Sequence, residues 1–180
     1  MARLLLAMIL LLPDFAGQQT DGPPKLEFTA QLNADDSRLT LNWANRGDRP
    51  FLITVGSLIG TSGLAPRVKM SISGPGIAQG DLADTSLPGA VSGRVEFLVI
   101  CLAARSGYSY DFPTDKLWLP GYKKTLKDVS HQPWTITVSY AGMRAYRDTP
   151  EGKRIPFDVI REYPADFPFW TGTLKTEVRQ

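Results

Sequence analysis

Cysteine and histidine are nearly absent from this chain: Cys101 and His131 are the only ones in 180 residues. One cysteine excludes an intramolecular disulfide, so the fold must rest on its apolar core. Two potential Cys/His ligands cannot fill a structural zinc site, which takes four. A Ser-His-Asp arrangement would have to use His131, which stands in DVSHQPW with no Gly-x-Ser-x-Gly turn to present a nucleophile. Cys101 sits inside the apolar run FLVICLAA, where a thiol is expected to be a small, inert hydrophobe. None of the three asparagines, Asn33, Asn42 and Asn45, opens an Asn-x-Ser/Thr acceptor site. No GxGxxG or P-loop is present, so nucleotide cofactors have no cradle. Neither charge sign dominates, with 20 basic against 18 acidic residues and no basic stripe, and nucleic acid is not an expected partner.

Long apolar runs are also lacking, except at the start. MARLLLAMILLLPDFAG places Arg3 before an apolar stretch from Leu4 to Leu12, then Pro13 and the small residues Ala16 and Gly17. A basic start, a short apolar middle and a small-residue exit make the template of a secretory signal peptide, expected over residues 1–17. The run is too short to span a bilayer, which takes about 20 apolar residues. Residues 18–24 read as a polar spacer, and residues 25–180 as one domain, long enough to bury roughly two thirds of its unfolded surface. With a leader and neither disulfides nor glycosylation sites, the expected location is the bacterial periplasm or the outside of the cell.

What fills the domain is period-two patterning. Leu26, Phe28, Ala30 and Leu32 alternate with Glu27, Thr29 and Gln31; Leu39, Leu41 and Trp43 alternate with Thr40 and Asn42. PRVKMSIS turns Val68, Met70 and Ile72 one way, and WTITVSY does the same with Trp134, Ile136, Val138 and Tyr140. Trp170, Leu174 and Val178 share a face in the closing FWTGTLKTEV. RVEFLVICLAA lacks alternation and is expected to be a strand covered on both faces. Gly, Pro and Asx clusters between these runs mark turns, and no segment has the spacing of a long amphipathic helix. The fold class expected is all-β, as a two-sheet antiparallel β-sandwich.

QPWTITVSY, ahead of a loop and the final FWTGTLKTEV, resembles the last two strands of bacterial secreted immunoglobulin-like or fibronectin-type modules. LTLNWANRGDRPFLITVG is similar to their early strand, Asn-x-Gly turn, strand unit. The resemblance implies an immunoglobulin-like sandwich without the inter-sheet Cys pair of antibody domains. Such modules serve adhesion, carbohydrate binding, inhibition and scaffolding, so the likeness informs the fold and carries no catalytic residue.

Sites must then come from oxygens, rings and arginines. Asn33, Asp35 and Asp36 cluster, as do Asp81 with Asp84 and Asp111 with Asp115, but none has the spacing of a calcium loop, and no metal or cofactor is expected. Asp111, Asp115, Asp128, Glu162 and Asp166 are the carboxylates from which a glycan or envelope hydrolase would draw a facing pair. Trp43, Trp134 and Trp170 fit the core, while Tyr108, Tyr110, Trp118 and Tyr122 stand among Gly, Pro and Lys where exposure is expected. The segment from Met143 to Phe169 is long for a connection in a compact β-domain and carries Arg144, Tyr146, Arg147, Arg154, Arg161 and Tyr163. Those six are the candidate recognition residues. Arg46-Gly47-Asp48 reads as a strand connection, with Gly47 expected at positive φ and Pro50 opening the next strand. The function expected is an exported, non-enzymatic binding module for a protein or glycan, with the hydrolase and a loop-presenting protease inhibitor as alternatives.

Overall fold

The computed structural model describes residues 24–59, 64–86, 95–143, 146–148, 154–156 and 167–180. The expected leader, the loop residues Arg144, Arg161 and Tyr163, and the carboxylates Glu162 and Asp166 lie outside the described residues. The chain is all-β, with fourteen strands among the described residues. They are β1 (Leu26–Leu32), β2 (Arg38–Asn45), β3 (Phe51–Ile59), β4 (Leu64–Pro66), β5 (Val68–Gly74), β6 (Ile77–Asp81), β7 (Ala83–Asp84) and β8 (Val95–Leu102). After these come β9 (Gly107–Pro113), β10 (Leu117–Trp118), β11 (Thr135–Ala141), β12 (Tyr146–Asp148), β13 (Arg154–Pro156) and β14 (Thr173–Arg179). No described helix is long and apolar enough to cross a membrane.

All strand pairs are antiparallel, in sheets ordered β1-β2-β9, β4-β3-β8 and β14-β11-β5-β6, with two-stranded ladders β10-β7 and β12-β13. Period-two alternation decides which faces meet. Leu39, Leu41 and Trp43 of β2 and Ile136, Val138 and Tyr140 of β11 are all fully buried, and their alternate neighbours are not. Between the sheets lies an aromatic chain. Phe28 approaches Trp43 at 5.2 Å and Tyr140 at 5.6 Å, and Tyr140 in turn stacks on Trp170 at 5.5 Å. Offset and edge contacts at such distances add to the stabilisation from burial alone.

Two expectations exchange places. FLITV, read as a short strand, is the doubly covered one: every residue from Phe51 to Gly56 is buried. It runs between β4 and β8, and its Leu52 also bridges Phe169, so both edges and both faces are occupied. RVEFLVICLAA does form a strand, but Phe97 to Cys101 are only half-buried, because β8 ends its sheet with β3 as its one partner among the described residues. Cys101 is half-buried accordingly, and desolvation raises its thiol pKa, leaving it a poor nucleophile.

The connection holding Arg46-Gly47-Asp48 joins β2 to β3 and so passes from one sheet to another. Gly47 does not take a positive φ; that conformation falls to Gly76 and Gly121. Its amide instead donates to the Asn45 Oδ1 at 2.8 Å, closing an Asx turn. Buried Asn45 also donates to the carbonyls of Arg49, Leu102 and Ala103. Arg46 pairs with Glu27, and Asp48 accepts from Arg105 at 2.6 and 3.0 Å. The return connection from β8 to β9 is therefore clamped to this one. Each side chain of the tripeptide has a structural partner.

Candidate functional site

The Met143–Phe169 segment starts and ends on one strand. At its start the Thr54 hydroxyl donates to the Met143 carbonyl at 2.8 Å. At its end the Leu52 amide donates to the Pro168 carbonyl, and the Trp170 amide to the Leu52 carbonyl, each at 2.9 Å. Leu52 and Thr54 are two residues apart on β3, so both ends of the segment are fixed within about 7 Å of one another. A further bond from the Gly142 amide to the Gly172 carbonyl, at 2.9 Å, zips the two arms together.

Trp170 is the keystone of this stem. Its ring stacks on Tyr140 and lies between Gly142 and Gly172. A Cβ on Gly142 would stand 2.6 Å from the Trp170 carbonyl oxygen, and one on Gly172 would stand 2.7 Å from the indole ring. Glycine is required at both places for close approach, not for backbone conformation. Beneath the stack, the Tyr140 hydroxyl donates to the Thr54 carbonyl at 3.2 Å, and burial pushes its pKa far up, so it remains a neutral donor. Of the six candidate residues, Tyr146, Arg147 and Arg154 belong to the β12–β13 ladder. There Tyr146 pairs with Pro156, Arg147 with Ile155 and Asp148 with Arg154.

Of the acidic candidates, Asp115 is exposed, and Asp111 and Asp128 are held by neighbours. Asp111 accepts from Thr40 at 2.7 Å and pairs with Arg38. Asp128 accepts from the Thr125 amide and hydroxyl, which hold its pKa below the usual carboxylate range. Asp35 is lowered by bonds from Ser37 and Asn33, and Asp81 by Ser71 and Lys69. A general acid for glycoside hydrolysis needs the opposite shift. Among the described residues no three His, Cys, Asp or Glu side chains group as metal ligands. A shallow pocket of about 300 Å³ between β5 and β7 is lined by Val68, Met70, Leu82 and Phe112, with the Lys69–Asp81 ion pair at 3.1 Å.

The aromatics divide. Trp43 and Trp134 are core residues, and Tyr108, Tyr110 and Trp118 are half-buried rather than displayed. Tyr122 alone among the described large hydrophobic residues is exposed, at 66%. It stands at the tip of a ribbon whose lysines were not singled out by sequence pattern. The usable signal was Pro-Gly between two short apolar pieces, Leu117-Leu119 and the run ending at Leu126, which is a turn signature. No protein-family model matches the chain, and no curated protein matches it.

Proposed function

We propose that this chain is an exported, non-enzymatic β-sandwich module, immunoglobulin-like in its layering, that binds a protein or glycan partner through the Met143–Phe169 segment. The observation carrying this reading is the stem: a segment of more than twenty residues starts and ends on positions two residues apart on the buried strand β3. Long connections fixed at their base by a rigid scaffold are where β-domains place recognition residues. The segment's arginines and tyrosines are the residue types enriched at protein interfaces, which supports the same assignment. A non-enzymatic role is supported by the lowered pKa values of Asp35, Asp81 and Asp128 and by the raised pKa of Cys101. Periplasmic or extracellular placement is supported by the leader pattern at residues 1–17.

The test is capture from native envelope extract by the wild-type chain and by Tyr146→Ala/Arg147→Ala/Arg161→Ala. The triple variant is expected to lose the captured partner while its thermal midpoint stays nearly unchanged. Undiminished capture by the triple variant overturns the assignment.

A further inference from the structure

The ribbon from Lys116 to Lys127 is a basic-aromatic surface, and it is built as a rigid finger. Trp118 bridges Thr125, the Leu119 amide donates to the Lys124 carbonyl at 2.9 Å, and the Leu126 amide to the Leu117 carbonyl at 2.7 Å. Pro120-Gly121 forms the turn, closed by the Tyr122 amide on the Leu119 carbonyl at 3.0 Å with Gly121 at φ 89°. Leu117, Leu119 and Leu126 bury the inner side in the core. Pro120 rests so closely on Gly80 of β6 that a Cβ there would meet its ring at 2.8 Å. Asp128 ties down Thr125 at the base through two bonds.

The outer side is unlike any other described surface. Tyr122 is held at φ 53°, a conformation that a bulky side chain adopts only under constraint, and its ring stands in solvent. Lys123 and Lys124 follow it, exposed, and Lys116 and Lys127 are exposed at the two ends of the ribbon. Four of the chain's eight lysines lie here and no arginine does. With Asp115 and Asp128 counted, these residues hold the whole +2 excess of the chain.

We propose that this finger docks the protein on an anionic phospholipid bilayer, with the Tyr122 ring at headgroup depth and Lys123 and Lys124 on lipid phosphates. A protein interface would favour arginine over lysine and would recess its aromatic anchor among packed neighbours; this finger does neither. Lysine is a flexible point charge that needs no matched geometry, and a bilayer offers phosphates at every lateral position. An amphipathic tyrosine ring suits the boundary between headgroup and hydrocarbon. The proposal stands independently of the Met143–Phe169 reading.

Flotation of the full chain with phosphatidylcholine vesicles, with and without phosphatidylglycerol, tests it. Binding is expected to rise with the anionic lipid and to weaken with added salt. Lys123→Gln/Lys124→Gln should lose about thirtyfold on anionic vesicles, the combined attraction of two basic side chains, and change nothing on neutral ones. Tyr122→Ser should lose severalfold on anionic vesicles, and Lys175→Gln, on exposed β14, should lose little. Circular dichroism with an unchanged thermal midpoint verifies that each variant is folded. The proposal is overturned if the double variant binds as wild type does, or if Lys175→Gln weakens binding equally. Retention on a soluble anionic polysaccharide without vesicle binding overturns it too, in favour of an acidic polymer.

Discussion

Two segments of this molecule use different cations and are held in different ways. The Lys116–Lys127 finger carries four lysines and no arginine, while the segment from Met143 to Phe169 carries four arginines and one lysine. A guanidinium is a planar fork that selects a matching acceptor; an ammonium on a flexible stem accepts any nearby negative charge. The finger is fixed along its length by three leucines and Pro120. The arginine segment is fixed at its base, by Trp170 stacked on Tyr140 and by bonds to Leu52 and Thr54. Under the two proposals, cation choice separates a surface that seeks charge from one that seeks shape.

That comparison breaks most severely at the stem. Trp170→Ala removes the ring between Gly142 and Gly172 and should destabilise the fold by about 3 kcal/mol. A calorimetric midpoint about 10 °C lower is the expected reading for a domain of this size. Gly142→Ala is a smaller insult: its Cβ would collide with the Trp170 carbonyl, at a cost of about 2 kcal/mol. Both changes should impair partner capture through the arginine segment and leave vesicle binding by the finger intact; equal loss of both would show that the surfaces are not independent. Tyr122→Gly works in the opposite direction. Relief of the positive φ should raise stability by up to about 1 kcal/mol in a urea titration, while vesicle binding falls. Least in magnitude is the Asp128 contact. Its pKa is depressed in the folded state, so the stabilisation is present above the ordinary aspartate range and is lost as pH falls through the depressed value. Thermal midpoints of wild type and Asp128→Asn should differ at neutral pH and converge as the pH falls below the ordinary aspartate range.

Much of the fold was legible because strand patterning survives where one face is buried and the other is wet. Trp134, Ile136, Val138 and Tyr140 alternate cleanly, and they face inward. Pattern failed where a strand has no wet face or weak composition. Phe51 to Gly56 gives no alternation because both sides are covered, and RVEFLVICLAA looks doubly buried on hydrophobicity alone while being paired on one side. Gly107–Pro113, a full strand against β2, was hidden by the Gly, Asp and Pro in GYSYDFP, although Tyr108, Tyr110 and Phe112 alternate within it. Composition also could not place contacts between distant residues. The Asn45 amide on Leu102 and Ala103, and Asp48 on Arg105, make the expected strand connection at Arg46-Gly47-Asp48 a clamp between two crossovers. For the sites, the arginine segment stood out by length and content, whereas the lysine finger emerged once the Pro120-Gly121 turn set Tyr122 outward.

Independence of the two surfaces is tested most directly by replacing residues 144–166 with four glycine and serine residues. Such a linker reaches about 10–12 Å, enough to join the two ends of the stem without strain. Partner capture and vesicle flotation are then measured on the same purified protein. The account predicts a folded chain that captures no partner yet binds anionic vesicles as wild type does. Loss of vesicle binding together with partner capture, in a chain that is still folded, would contradict it.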